Sequence, residues 1–425
     1  MKKIRPLDSV IDATIEIPGS KSVTHRAIIA SSLAQGESLL RNYLECEDTL
    51  YTINALRELG INISILKDTL TVRGNGGKFD HFSPRKVLYM GNSGTSFRLL
   101  LSVAALARGE VFMSGAPRML SRPIGQLVSA LKLVGVEADC VDKKNYPPVL
   151  VRANGIHGGS LSVRGDQSSQ FISSLLLSAP YAAEDIEISV NGELVSKPYV
   201  DITIDVMSKF GVDVMRDGYS HFTIPSGRPY KPQEFTVEGD VSSASYFWSA
   251  AAITGGSVTT KNIDTYRTKQ GDMKFLNLLE KMGCYIKKKS DRVLVRGGRL
   301  SGIDVDMSAI PDMVPSMAAV ALFCQGITSI RNVGHLRFKE SDRLQAIALE
   351  WNRLGGYVKE IDDGLIIQGG KDLTGTEVDP HNDHRLAMSL AVAGLKVPGI
   401  KIINENCVDK SFPRFWELMD LLYRK

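Results

Sequence analysis

The 425-residue sequence lacks most marks of a metalloprotein, a disulfide scaffold, a nucleic-acid binder or a membrane protein. Its five cysteines, Cys46, Cys140, Cys284, Cys324 and Cys407, include no pair with metal-ligand or C-x-x-C spacing. Their odd number and wide separation argue against a disulfide framework and for a reducing compartment. No apolar run reaches membrane-spanning length, and the Met1–Pro6 stretch has no apolar core of a secretion signal. A formal net charge of +4 is small for this length. It excludes a general nucleic-acid binder and leaves room for a local basic cleft. A Walker A loop is also missing, because Gly19-Ser20-Lys21-Ser22 has no glycine five positions upstream. What remains is a soluble, cytoplasmic globular chain, 43% apolar and 23% charged, long enough for two or three domains.

Pro18–Arg26, P-G-S-K-S-V-T-H-R, organises the rest. Ile15 and Ile17 alternate like a strand end, Pro18-Gly19 turns, and an apolar helix face follows from Ala27. Ser20 or Ser22 is expected to cap that helix. A helix start carrying Lys21, Arg26 and two hydroxyls reads as an anion site; an ordinary capped helix is the plain alternative.

The same strand–turn–helix pattern recurs at 87–107, 161–180, 235–254, 303–324 and 377–396. The 163–169 and 237–243 segments share V-x-G-D-x-S-S. The period is roughly 70 to 75 residues, longer than solenoid repeats. Between these anchors lie amphipathic helices closed by glycine, as in Leu56–Ile61 and Leu131–Val136, each followed by a β-rich stretch. Each repeat therefore reads β-α-β-α-β-β, the first helix buried and the second facing water. The sixth repeat stops after its second helix, so residues 1–17 are expected to complete it. Two domains follow: 21–239, and 1–20 plus 240–425, with glycine-bearing hinge crossings near 19–21 and 239–240. A single large α/β domain is the alternative.

These residues resemble the 3-phosphoshikimate 1-carboxyvinyltransferase (EPSP synthase) family, of the enolpyruvyl transferases, over nearly the whole chain. The motifs come in order: P-G-S-K-S at 18–22 with Arg26, G-N-S-G-T at 91–95 with Arg98, P-R-M-L-S-R-P-I-G at 117–125, S-S-Q at 168–170 and S-K-P-Y at 196–199. I-P-D at 310–312, R-F-K-E-S-D-R at 337–343, N-D-H-R at 382–385 and Lys410-Ser411-Phe412-Pro413 complete the set. The resemblance implies an α/β fold of two similar domains. Each holds three βαβαββ repeats about a pseudo-threefold axis, an inside-out α/β barrel. It implies no metal and no organic cofactor, no nucleic-acid or membrane partner, and a monomer.

The implied reaction joins shikimate 3-phosphate to phosphoenolpyruvate (PEP), on the route to chorismate and the aromatic amino acids. The 5-hydroxyl attacks C2 of PEP, C3 gains a proton, and phosphate leaves the tetrahedral intermediate. Each substrate carries a phosphate and a carboxylate. At an effective dielectric near 20, one like-charge pair at 4 Å costs about 4 kcal/mol, so the site needs many cations. By resemblance, shikimate 3-phosphate is held by Lys21, Ser22, Arg26, Ser168, Ser169, Gln170, Ser196, Tyr199, Asp312 and Lys339. PEP is held by Lys21, Gly94, Arg122, Gln170, Arg343, Arg385 and Lys410. These cations come from both inferred domains, so neither alone can hold both ligands. Glyphosate is expected to compete with PEP, Gly94 leaving room beside that site.

Asp312 and Glu340, with Lys21 near both ligands, are the candidates for proton transfer. The plain readings are a helix N-cap for Asp312 and a surface ion pair for Glu340. Arg98 and Arg118 are expected to brace the turns. His25 reads as a structural, hydrogen-bonded ring, and His335 stands where some members carry asparagine. The related transferase acting on UDP-N-acetylglucosamine is the alternative enzyme. It has a mobile-loop cysteine, whereas Gly115–Pro123 has arginines and none. A non-catalytic anion-binding scaffold is a third reading, against which Asp312 and Glu340 speak.

Overall fold

Helices as apolar as the first one of each repeat cannot be left in water, and burying them organises the fold. They are α1 (Lys21–Leu33), α2 (Gly94–Ala105), α3 (Ser169–Ser178), α4 (Val241–Thr254), α5 (Val314–Ala321) and α6 (His384–Gly394). Every residue of α5 and α6 is buried. Some serines of these helices pair across the core: Ser102 Oγ lies 2.7 Å from Ser174 Oγ, and Ser245 Oγ 3.1 Å from Ser316 Oγ. The computed structural model describes residues 1–79 and 81–424, with backbone only at 81–84. Asp80 and Lys425, inside the expected domain spans, lie outside the described residues.

The chain divides into two compact units. The continuous unit is Gly19–Val237; the split unit is Met1–Pro18 with Glu238–Lys425. Each has its own apolar core. In the continuous unit α1, α2 and α3 each touch the other two, and so do α4, α5 and α6 in the split unit. The second helices are amphipathic. Lys274–Met282 buries Phe275, Leu276, Leu279 and Met282 and turns its lysines outward.

Five of the repeats have a four-stranded sheet, and the sixth has a three-stranded one. In the third, Gly159–Arg164 runs parallel to Ile186–Asn191, with Leu161 opposite Ile188. The crossover through α3 permits this parallel pair. His221–Ile224 and Met215–Asp217 then add antiparallel strands. The chain start departs from expectation. Only Lys2–Lys3 completes the sixth sheet, antiparallel to Lys401–Ile402. Asp12–Glu16 instead pairs in parallel with Ser257–Lys261, Thr14 opposite Thr259. Correspondingly, Glu234–Thr236 pairs with Gln35–Arg41, in the sheet of the first repeat. The reason is topological. The chain leaves one unit just after each of these strands, at Pro18 and at Val237, so each leading strand stays behind in the sheet it exits.

Both crossings pass tightly packed glycines. A Cβ on Gly19 would fall 1.8 Å from the Asn42 carbonyl oxygen, and one on Gly239 2.0 Å from that of Asn262. Asn42 Nδ2 donates to the Val237 carbonyl and Asn262 Nδ2 to that of Ile17, both at 2.7 Å. No helix among the described residues is long and apolar enough to cross a membrane.

Candidate active site

In the continuous unit the polar residues gather at the starts of the buried helices. Ser20 occupies the cap position of α1, but its hydroxyl makes no capping bond, and Ser22 lies inside the helix. The expected serine cap is therefore absent, and the cap side chain does not occupy the first-turn N–H groups that an anion would use. Lys21, at the first position, points its Nζ to Asp48 Oδ2 at 2.8 Å; the two are 12% and 2% exposed. Asp48 opens the helix Glu47–Glu58.

One turn on, Arg26 is 1% exposed. Nε donates to Thr203 Oγ1 at 2.6 Å, Nη1 to the Ser22 carbonyl at 2.8 Å, and Nη2 to the Tyr199 carbonyl at 3.1 Å and Ser173 Oγ at 3.3 Å. All four acceptors are neutral. Burial without a carboxylate lowers its pKa to about 10. This buried cation is satisfied in hydrogen bonds, but among the described residues no carboxylate pairs with it.

Ser93 caps α2, accepting from the Ser96 N–H at 3.2 Å. Gly94 follows, and a Cβ there would lie 2.6 Å from Arg122 Cζ. The Arg122 guanidinium thus lies against the glycine, its Nη1 donating to the Asn92 carbonyl at 3.2 Å. Ser168 caps α3 through the Gln170 N–H at 3.3 Å, and Ser169 is buried. Gln170 ties two helix starts together: Oε1 accepts from Arg98 Nη1 at 2.8 Å and Nε2 donates to Thr95 Oγ1 at 3.0 Å. Ser196 sits in the left-handed region (φ 55°) before the helix Lys197–Lys209 that carries Tyr199. His25 Nδ1 lies 2.8 Å from Thr52 Oγ1 in the core, a structural ring.

The split unit builds a charged cluster around Arg343, at the first position of the helix Arg343–Arg353 and 1% exposed. Nε donates to Asp383 Oδ2 at 2.7 Å, Nη1 to Asp312 Oδ1 at 3.0 Å and Nη2 to Glu340 Oε2 at 2.8 Å. Burial lowers the Arg343 pKa, but Asp383, Glu340 and Asp312 outweigh it and raise it above the ordinary arginine value. The second oxygen of Asp312 accepts from Arg385 Nη2 at 2.8 Å. Burial pushes the Asp312 pKa up, and Arg385, Lys339 and Arg343 together hold it well below the usual carboxylate range. Neither plain reading survives. Asp312 sits in the turn Pro311–Met313 and gives both oxygens to arginines, and Glu340 pairs with a buried arginine.

Lys410 is buried at the end of the turn Glu405–Lys410. Burial, Lys339 and Arg343 outweigh Asp312 and lower the His335 pKa to about 3, so its imidazole is neutral. Among the described residues no three His, Cys, Asp or Glu side chains could gather on a metal ion.

The structure adds two carboxylates to the sequence-derived set. Asp383 is fully buried; it holds Arg343, accepts from Ser341 Oγ at 3.1 Å, and caps α6 through the Arg385 N–H at 3.0 Å. It lies inside the N-D-H-R motif, whose arginine is the more conspicuous candidate for an anion site. Asp48 carried only the signal of an acid in a first helical turn, which any helix can show.

Residues 7–419 match the family model for EPSP synthase (3-phosphoshikimate 1-carboxyvinyltransferase). A 3-phosphoshikimate 1-carboxyvinyltransferase of Vibrio campbellii is 42% identical over 422 residues, covering 99% of this chain and 98% of that one. One from Nostoc punctiforme is 42% identical over 425 residues, covering 98% and 99%. A solved EPSP synthase from Acinetobacter baumannii superposes with a TM-score of 0.81 at 29% identity, covering 98% of this chain and 97% of that one. With its repeats, its helix-start cations and its full-length matches, this chain belongs to the EPSP synthase (3-phosphoshikimate 1-carboxyvinyltransferase) family.

Proposed function

We propose that this chain transfers the enolpyruvyl group of PEP to the 5-hydroxyl of shikimate 3-phosphate, with the site residues in the following roles. Arg26 and Ser22 take the carboxylate side of shikimate 3-phosphate, and Tyr199 contacts the same ligand. Ser168, Ser169, Ser196 and Lys339 take its phosphate, and Gln170 serves both ligands. Lys21, Gly94, Arg122, Arg343, Arg385 and Lys410 take PEP. The observation that carries this reading is the Arg343 cluster. Two carboxylates able to move protons, Asp312 and Glu340, are held 3.0 and 2.8 Å from one buried arginine, and Asp312 is shared with Arg385. Ionised carboxylates beside fixed cations suit a reaction that moves a proton on and off C3 while negative charge accumulates.

Lys21, Asp312 and Glu340 share the proton transfers. The hydroxyl oxygen bonds to C2 as its proton leaves and C3 is protonated. C3 then gives up a proton as the C2–O bond to phosphate breaks. Glyphosate competes with PEP, and the chain acts as a monomer. Phosphate release from PEP decides the reading: it is expected with shikimate 3-phosphate and absent with UDP-N-acetylglucosamine. Lys21→Ala and Arg122→Ala are each expected to lose several orders of magnitude in kcat/KM. Near-normal turnover in either variant would contradict these roles.

A further inference from the structure

The start of α4 is overlaid by a second loop that the proposed reaction does not use. Asp240 caps the helix, accepting from the Ser243 N–H at 3.1 Å. Gln270 reaches the same turn from the side, its Oε1 accepting from the Val241 N–H at 3.0 Å and its Nε2 donating to the Gly239 carbonyl at 2.8 Å. Two residues on, in the turn Gly271–Met273, Asp272 is 5% exposed and accepts a hydrogen bond from Ser242 Oγ. Among the described residues it has no ion-pair partner. Helix α4 packs on α5, on α6 and on the turn that carries Asp312. Asp272 is thereby brought within electrostatic reach of Asp312, Arg385 and Asp240. A buried carboxyl without a cation of its own, beside the pair that the proposed function assigns to PEP, calls for a role.

We propose that Asp272 is a positioning residue for Arg385: uncharged, it leaves Arg385 to Asp312 and the substrate anion, and ionised, it draws Arg385 toward itself and weakens PEP binding. This rests on the assignment of Arg385 to PEP. The groups that face it are Asp240 at the start of α4, Asp312 before α5 and Arg385 on α6. Lys269 and Lys274, on its own segment, are exposed. Burial, Asp312 and Asp240 raise its pKa and Ser242 and Arg385 lower it, leaving it at about 7. The carboxyl therefore changes charge near neutral pH, and the added negative charge acts against a polyanionic substrate.

The test is the KM for PEP of the wild-type chain and of Asp272→Asn between pH 6 and 8.5. Asparagine keeps the shape and can still accept from Ser242, and the ratio of the two KM values removes PEP's own titration. The ratio of wild-type to variant KM is expected to be near one at pH 6 and to rise roughly three- to ten-fold by pH 8.5, with the kcat ratio flat. A ratio that does not change with pH overturns the proposal; a merely structural role would shift it equally throughout. Ser242→Ala supplies a second arm should Asp272→Asn fail to fold. It removes a bond that favours the ionised form, so the wild-type inflection moves to higher pH, and an unmoved inflection is a refutation. Difference infrared spectra of wild type against Asp272→Asn follow the protonated carboxyl without turnover. A carboxyl that titrates in a chain with no phosphate release would fault the functional reading. One that stays ionised from pH 6 upward would fault the role of Asp272.

Discussion

Replacing Asp272 by asparagine removes a buried acid that the fold keeps protonated up to about pH 7, so its effect on stability has a definite sign and pH window. The folded-state pKa is about 7 against an ordinary value of 3.8. Between these values the folded chain keeps a proton that the unfolded chain gives up. Wild-type stability contributed by this group is therefore fully present below about pH 4 and is lost as pH rises through 7. At 1.36 kcal/mol per pKa unit, the full loss is about 4 kcal/mol, of which about 3 kcal/mol falls between pH 5 and 8. Asparagine does not titrate. The stability of Asp272→Asn relative to wild type is expected to improve by about that amount across the interval. Trp248, Trp351 and Trp416 all lie in the split unit that contains Asp272, so tryptophan fluorescence during urea unfolding reports the right part of the molecule. A wild-type-to-variant difference that is constant from pH 5 to 8 would show that Asp272 is ionised throughout, and the reasoning would fail.

Gly94→Ala is expected to raise the KM for PEP by about ten-fold and to weaken glyphosate inhibition. Its Cβ meets the movable Arg122 guanidinium at 2.6 Å rather than backbone, so the helix start survives while the cation shifts. Steady-state kinetics with and without glyphosate check this, and unchanged values would separate Arg122 from the α2 start. Asp383→Ala leaves Arg343 buried without its strongest partner and is expected to cost about 3–5 kcal/mol of split-unit stability. A loss below about 1 kcal/mol in the same fluorescence assay would place Asp383 among the dispensable pairs.

Much of this was legible in the sequence because the repeats carry two different periodicities in fixed order. An all-apolar helix after a polar turn has one place to go, and the buried α1–α6 follow from that. Strand allegiance was not legible. Asp12–Glu16 looks like the leading strand of the helix it precedes, yet it pairs with Ser257–Lys261. Nothing in its alternation distinguishes the two partners, since a parallel edge strand reads alike in either sheet. Cations were easier to find than their counter-ions for a related reason. Lys21, Arg343 and Arg385 stand in conspicuous motifs, whereas Asp48 sits in a first helical turn and Asp383 at a helix cap, places where an acid is ordinary.

Arg26 differs in its resting state from Arg343 and Arg385, and also from Lys21, which is paired with Asp48, and that difference bears on how each can take an anion. In the split unit Arg343 and Arg385 are already paired with carboxylates, Asp312 serving both. A ligand anion there must share or displace an internal partner, and its binding responds to anything that alters the charge on Asp312, Glu340 or Asp383. In the continuous unit Arg26 is bonded, among the described residues, only to hydroxyl and carbonyl oxygens and bears the cost of burial as a lowered pKa. A carboxylate arriving at Arg26 displaces no internal anion; it supplies the charge that the fold leaves out, and the pKa of Arg26 rises as it binds. Under the proposed roles, the affinity of the Arg26 side is set by desolvation and geometry, while that of the Arg343–Arg385 side is set by competition among carboxylates.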